Sequence, residues 1–250
     1  MFSKNIIFEN FKYKKNKKIK KKINNILKKE LIISNALFNS FNENYKYSYK
    51  KENLNKYKNF EIINLIGMGG SILGTEAIYD FLKYKIKKKI NFYNNLDTKF
   101  DFKAKKKILN LIVSKSGNTL ETISNFNVIL NSQKKNKNIV ITEKKSSFLT
   151  KLANKLKADI VEHKNYIGGR YSVLSEVGML PAELLGLNER KFKRLNYLIK
   201  NKYFRNQLIY NVNFIFNCVS KGKKNSVILN YDESSNNLFK WYQQLTAESL

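Results

Sequence analysis

From Phe60 onward the chain alternates short apolar runs with stretches of helical spacing. Ile62–Ile66, Ile90–Tyr93, Ile108–Val113, Ile139–Thr142 and Ala158–Val161 read as strands; the third carries a lone Asn110 among five apolar residues. Thr75–Tyr84, Thr119–Leu130 and Ser146–Leu156 place apolar side chains three and four apart, the period of a helix with one buried face. Apolar strands that alternate with helices predict an α/β fold: a parallel five-stranded sheet of flavodoxin-like type, covered by helices on both faces. Residues 1–58 are rich in Lys and Asn. Ile23, Ile26, Leu27, Leu31, Leu37 and Phe38 form one apolar stripe there, predicting a helical arm against the main body, joined by a polar linker at Lys50–Asn59. Beyond the sheet, Val173, Val177, Leu180 and Leu184 predict a helix that Pro181 should kink or divide. Arg190–Leu198 and Gln207–Val219 read as further helices, Ser226–Asn230 as the strand opening a second α/β unit, and Leu238–Leu250 as a helix. The expected division is a helical arm over 1–58, an α/β domain over 59–186, and connecting helices with the beginning of a second domain over 187–250.

Composition narrows the possibilities. With 42% hydrophobic residues, 250 residues can bury a sizeable core. No run of about 18 uninterrupted apolar residues occurs, which argues against a membrane span. The beginning of the chain lacks the compact apolar segment of a secretory signal. Cys218 is the only cysteine, so no internal disulfide can form, and a reducing cytoplasmic setting is expected. With His163 the only histidine, a structural zinc site is not expected either.

The net charge of +29 raises nucleic acid as a partner. The excess is nearly all lysine, scattered among abundant Asn, Ile and Tyr, and arginine occurs only at Arg170, Arg190, Arg194 and Arg205. Arginine is the residue suited to base-edge and bidentate phosphate recognition, so specific nucleic-acid binding is not expected. The lysine runs Lys14–Lys22 and Lys87–Lys89 read as solvated faces.

Candidate chemistry centres on Ser114-Lys115-Ser116-Gly117-Asn118-Thr119, between the third strand and the next helix. A strand that feeds a hydroxyl-rich turn into a helix makes an anion site, because free N–H groups and the helix dipole both favour negative charge there. Ser114, Ser116 and Thr119 add hydroxyl donors and Lys115 a point charge. A plain N-cap is the competing reading of this stretch taken alone. The loop Gly67–Gly74 follows the first strand. Ile72 stands where GxGxxG needs its third glycine, and no GKS or GKT triplet follows, so it is neither a dinucleotide fingerprint nor a P-loop. Gly168-Gly169 permits a tight turn that presents Arg170, for which a surface ion pair is the plainer role. Gln244 and Glu248 lie one helical turn apart, at the edge of the stripe formed by Leu238, Trp241 and Leu245.

Four blocks in this order, GMGGSILG, SKSGNTLET, GGRYSVLSEVGMLPAELLG and QQLTAESL, resemble the glucose-6-phosphate isomerase family, built on sugar-isomerase (SIS) domains, over about residues 60–250. The resemblance implies an aldose–ketose isomerase of glycolysis and gluconeogenesis that interconverts glucose 6-phosphate and fructose 6-phosphate without a cofactor or metal. Ser114, Lys115, Ser116 and Thr119 would hold the phosphate, and Gly70 and Ser71 would line the sugar. Arg170 would stabilise the enediolate, and Glu248 would be the base, with Gln244 beside it. A non-catalytic sugar-phosphate-binding module and a combined phosphoglucose/phosphomannose isomerase are the alternatives. The family's ring-opening histidine and a late catalytic lysine have no counterpart here, and His163 is not expected to replace the former. The family is commonly dimeric, which implies a homodimer for a complete enzyme, and the chain reads as stopping inside the glutamate helix.

Overall fold

The computed structural model describes residues 17–32, 36–96, 107–132, 136–194, 197–198 and 201–249. In chain order the regular elements begin with helices α1 (Lys17–Ile32) and α2 (Ala36–Asn39), then β1 (Ile62–Ile66), α3 (Leu73–Leu82) and β2 (Lys89–Tyr93). β3 (Ile108–Val113), α4 (Leu120–Ser132), β4 (Lys137–Thr142), α5 (Phe148–Lys155) and β5 (Asp159–Glu162) follow. The last three helices are α6 (Glu176–Leu184), α7 (Lys202–Ser220) and α8 (Asn236–Ala247). Among the described residues, no helix is long and apolar enough to cross a membrane.

Two compact units divide the chain. One combines the described residues up to Tyr45 with Lys193–Leu229. Within it α1 runs beside α7, and Lys20 Nζ donates to the Tyr210 hydroxyl at 3.1 Å. The buried Lys193 donates to the Ser40 carbonyl at 2.8 Å and lies over the Tyr45 ring. The arm's apolar stripe divides between α1, with Ile23, Ile26 and Leu27, and α2, with Leu37 and Phe38; the side chain of Leu31 lies outside the described residues.

The other unit, Lys46–Phe192 with Asn230–Leu250, holds a five-stranded parallel sheet in the order β2-β1-β3-β4-β5. All five strands expected from the sequence are present. Ile63, Leu65, Leu109, Leu111, Ile139 and Ile141 face one way, against Val177, Leu180 and Leu184 of α6. Ile66, Ile112 and Val140 face the other, against Phe126 and Ile129 of α4 and Leu149 of α5. Burying a side chain of this size stabilises by about 1.5–3 kcal/mol, which is why continuous apolar runs commit to the middle of such a sheet.

Asn110 interrupts that apolar face, and a ladder of its own kind satisfies it. Asn91 Nδ2 donates to Asn64 Oδ1 at 3.0 Å, Asn64 Nδ2 to Asn110 Oδ1 at 3.0 Å, and Asn110 Nδ2 to Asn138 Oδ1 at 2.9 Å. The four asparagines occupy partnered positions on β2, β1, β3 and β4. Side chains alternate between faces, so slipping any strand by one residue would turn its asparagine away and break the ladder.

Two expectations are corrected. Lys50–Asn59 is no mere linker: Lys51–Tyr57 forms a 3₁₀ helix that buries Leu54 and Tyr57, three residues apart and thus on one side of its three-residue turn. Ser226–Asn230 forms no strand. Val227 and Leu229 are 79% and 77% exposed, and no neighbouring strand among the described residues takes up the backbone hydrogen bonds a sheet requires. Over Arg190–Leu198 the expected helix is met in part: Glu189–Phe192 forms a 3₁₀ turn, while Tyr197 and Leu198 are helical, the Leu198 N–H donating to the Arg194 carbonyl at 3.2 Å; residues 195 and 196 lie outside the described set.

Pro181 stays within α6 instead of dividing it. Proline cannot donate to the carbonyl four residues back. Thr75 Oγ1 reaches that carbonyl, on Val177, at 3.4 Å.

The end of α6 carries a charged cluster with a pH consequence. Lys51 Nζ pairs with Glu183 Oε1 at 2.7 Å and also with Glu189. Burial first, then the neighbouring Glu189, pushes the Glu183 carboxyl up to about 7. A carboxyl raised by folding stabilises fully when both folded and unfolded chains are protonated, below about pH 4.5. That contribution fades as pH rises through 7, where ionisation must occur inside the protein. Glu183→Gln, neutral throughout, is therefore expected to gain on the unaltered protein by about 1 kcal/mol between pH 5 and pH 8. Urea midpoints at the two pH values test it; a difference independent of pH would contradict the assignment.

Candidate active site

The order 2-1-3-4-5 reverses direction between β1 and β3, and in open α/β sheets ligands lie beyond the carboxyl ends of strands at such a point. The loops after β1 and β3 are the two glycine- and hydroxyl-rich segments. They begin in close contact: a Cβ on Gly67 would lie 3.0 Å from the Val113 carbonyl oxygen.

The turn after β3 is organised by its own hydroxyls. Ser114 Oγ accepts from the Gly117 N–H at 3.1 Å and shares a hydrogen bond with Thr119 Oγ1 at 2.9 Å. Ser116 Oγ accepts from the Asn118 N–H at 3.2 Å and lies 3.4 Å from Thr119 Oγ1. Gly117 adopts φ +69°, and a Cβ there would meet Ser147 Oγ at 2.2 Å, so glycine is required on both counts. Ser114 is buried, Thr119 half-buried and Ser116 exposed, which leaves the turn open on its outer side. Lys115 turns its ammonium toward the segment ahead of Arg170: Nζ donates to the carbonyls of Asn165 at 2.8 Å and Ile167 at 2.9 Å.

After β1, Gly69–Ser71 forms a single 3₁₀ turn leading into α3. Gly70 permits the closest backbone approach in the site. A Cβ on it would sit 2.2 Å from the carbonyl carbon of Gly169 and 2.7 Å from the Arg170 nitrogen, so any side chain would force the two loops apart. Ser172 Oγ bonds across the same junction, to the carbonyls of Gly70 at 3.0 Å and Gly169 at 2.7 Å. Ser71 is half-buried on the same turn.

Arg170 is the second residue of the 3₁₀ helix Gly169–Leu174. Trp241 of α8 fixes its backbone, the indole N–H donating to the Arg170 carbonyl at 3.1 Å. The guanidinium lies over the Tyr171 ring, 4.6 Å from its centre, and Nε donates to Ser249 Oγ at 3.1 Å. Tyr171 and Ser249 share a hydrogen bond at 3.0 Å; that bond, with the guanidinium, lowers the phenol's pKa.

Glu248 follows α8 and faces the arginine, with Arg170 Nη1 3.5 Å from Glu248 Oε2. Gln244 Nε2 donates to Glu248 Oε1 at 2.8 Å and packs against Gly69, where a Cβ would lie 2.9 Å from that nitrogen. The pair is open to solvent, with side chains 29% exposed at Arg170 and 47% at Glu248. A cation and a carboxylate separated by 78 residues thus converge at one edge of the glycine junction. The fold brings together Gly70, Arg170, Gln244 and Glu248 directly. The turn of Ser114, Ser116 and Thr119 connects to them through Lys115.

His163 lies in the connection that follows β5, outside any strand or helix. It is buried directly after β5, its N–H donating to the Thr142 carbonyl at 2.8 Å and its Nδ1 3.1 Å from the Lys164 carbonyl oxygen; burial pushes its pKa down. Among the described residues no group of three His, Cys, Asp or Glu side chains could hold a metal ion. Sequence reading passed over Tyr171 and Ser249, and took Trp241 only as part of an apolar stripe. Trp241 carried the one usable signal, since an indole N–H at the edge of a buried face requires an acceptor.

The sequence matches the model of the phosphoglucose isomerase family over residues 34–250. It is 36% identical over 220 residues to a glucose-6-phosphate isomerase of Methanocaldococcus jannaschii, covering 80% of this chain and 53% of that protein. A probable glucose-6-phosphate isomerase of Methanococcus maripaludis is 33% identical over 257 residues, covering 92% of this chain and 56% of its own length. The chain therefore spans about half the length of these curated relatives. The crystal structure of a hypothetical protein from Thermus thermophilus superposes with a TM-score of 0.72 at 21% identity, covering 93% of this chain and 59% of the other; that likeness shows the fold. The family match covers most of the chain, and its span takes in both loops, the arginine and the glutamate: the chain belongs to the phosphoglucose isomerase family.

Proposed function

We propose that this chain supplies the phosphate turn, the arginine and the base of an aldose–ketose isomerase acting on glucose 6-phosphate and fructose 6-phosphate. The observation that carries the reading is the meeting of Arg170 and Glu248 beside the glycine junction at the switch point of the sheet. Ser114, Ser116 and Thr119 offer hydroxyl donors for the phosphate on the open side of their turn, with the charge of Lys115 close by. Gly70 and Ser71 lie where a sugar extending from that phosphate toward Arg170 would pass.

The proposed reaction starts from the open-chain sugar. Glu248 removes the proton on C2, and the C–H electrons form the C1–C2 double bond of a cis-enediolate. Arg170 stabilises the negative charge that develops on oxygen, and Glu248 returns its proton to C1. The hydroxyl proton of O2 ends on O1, so nothing is gained or lost. A carboxylate within hydrogen-bond reach of the carbon-bound proton and a fixed cation at the developing oxyanion are what this step demands. Gln244, bonded to Glu248, orients the base.

Titration with fructose 6-phosphate, followed residue by residue by NMR, tests the site. The expected result is saturable shifts concentrated at Ser114–Thr119, Gly70, Ser71 and Arg170, reversed at the turn by competing inorganic phosphate. Binding that leaves Ser114–Thr119 undisturbed would refute the proposal.

A further inference from the structure

We infer that Lys115 is a positioning residue, a strut that fastens the segment carrying Arg170 to the phosphate turn, and not a direct ligand of the phosphate. The inference deepens the proposed site and rests on that reading.

A lysine ammonium has three donors and no acceptor. Two of those on Lys115 are spent on the carbonyls of Asn165 and Ile167, and on a third side stands Glu143, whose Oε1 lies 3.6 Å away. Lys145 holds that carboxylate from its other oxygen at 2.5 Å. The backbone is engaged as well, since the Lys115 carbonyl accepts from the Glu143 N–H at 3.2 Å. Two donors of the ammonium are thus committed to acceptors belonging to the protein and a carboxylate stands near it, and a phosphate would have to compete with them.

The carbonyls it holds occupy a telling place. Ile167 is buried, so its carbonyl needs a donor nearby, and only Gly168 and Gly169 separate it from Arg170. Two consecutive glycines resist displacement weakly, because neither has a side chain to pack. Trp241 and Ser172 fasten the far side of this bend. Lys115 fastens the near side. The same residue belongs to the turn proposed to take the phosphate, so the distance between phosphate and guanidinium is set in part by one side chain. Its contribution is therefore to fit the length of the ligand.

The test compares Lys115→Met, which keeps the stem but removes every donor, with Lys115→Arg, which can still bridge two carbonyls. Hydrogen exchange in the unliganded chain reads the fastening. Protection at the Ile167 and Tyr171 amides should fall about tenfold in Lys115→Met and be retained in Lys115→Arg, as loss of two charge-assisted bonds implies. Affinities for fructose 6-phosphate and inorganic phosphate read the positioning. Loss of the charge weakens both and cancels in their ratio, so a strut lowers the preference for the sugar phosphate by about fivefold to tenfold, restored in Lys115→Arg. Unchanged protection, or equal loss of affinity for both ligands, would overturn the inference. If Lys115→Met fails to fold cooperatively, Lys115→Gln takes its place in both measurements. The exchange measurement needs no ligand. Absence of all binding by the unaltered chain would therefore count against the proposed site, while exchange alone still judges the strut.

Discussion

Glu248→Gln is expected to lower the exchange of the C2 proton of glucose 6-phosphate with solvent by about 10³-fold, the scale at which general-base catalysis contributes. The amide matches the carboxylate in shape and can still meet Gln244, which donates to Oε1 at 2.8 Å. It cannot take up a proton. Arg170 loses its ion-pair partner at 3.5 Å but keeps its bond to Ser249 and its place over Tyr171, so the cation stays where the enediolate charge would develop. Affinity for fructose 6-phosphate should accordingly change by less than about threefold, because uniform binding and proton transfer are separate contributions. Loss of the C2 proton signal in deuterated buffer measures the first quantity and calorimetry the second. Exchange within tenfold of the unaltered protein would remove Glu248 from the role of base.

The second large effect concerns stability. Asn110→Ala should cost about 3 kcal/mol, from two buried polar groups left without partners at 1–3 kcal/mol each and a small cavity. Asn64 Nδ2 would lose its acceptor and Asn138 Oδ1 its donor, on a face otherwise filled by Ile66, Ile112 and Val140. Ile112→Val, on the same face of the same strand, removes one methyl group and should cost about 1 kcal/mol. Guanidinium unfolding of both variants supplies the comparison. If Asn110→Ala is no worse than Ile112→Val, the ladder contributes nothing beyond filling space.

Legibility from sequence followed the range of each interaction. Ile62–Ile66, Ile108–Val113 and Ile139–Thr142 could be read as strands because a strand buried on both faces must be apolar throughout, a property visible within one short window. The places of the two polar loops followed, since in a parallel sheet each loop after a strand lies at the same edge. Asn110 was visible only as an exception to its run. That it bonds Asn64 and Asn138 depends on which strands are neighbours. Lys50–Asn59 was misread because two apolar residues among many polar ones are a weak signal, although Leu54 and Tyr57 suffice for a helical turn that has a core to lean on.

Sequence alone determined the fold class, the two loops and the residue types available for chemistry, because strand burial, turn formation and helix starts are decided by neighbours a few residues apart. Tertiary structure decided what meets what. Only the folded chain joins Arg170 to Glu248, presses Gly70 against Gly169, and commits the ammonium of Lys115 to two carbonyls some fifty residues away. Those contacts are set by the order in which strands join the sheet and by the close packing of its loops, and neither leaves a periodic trace along the chain.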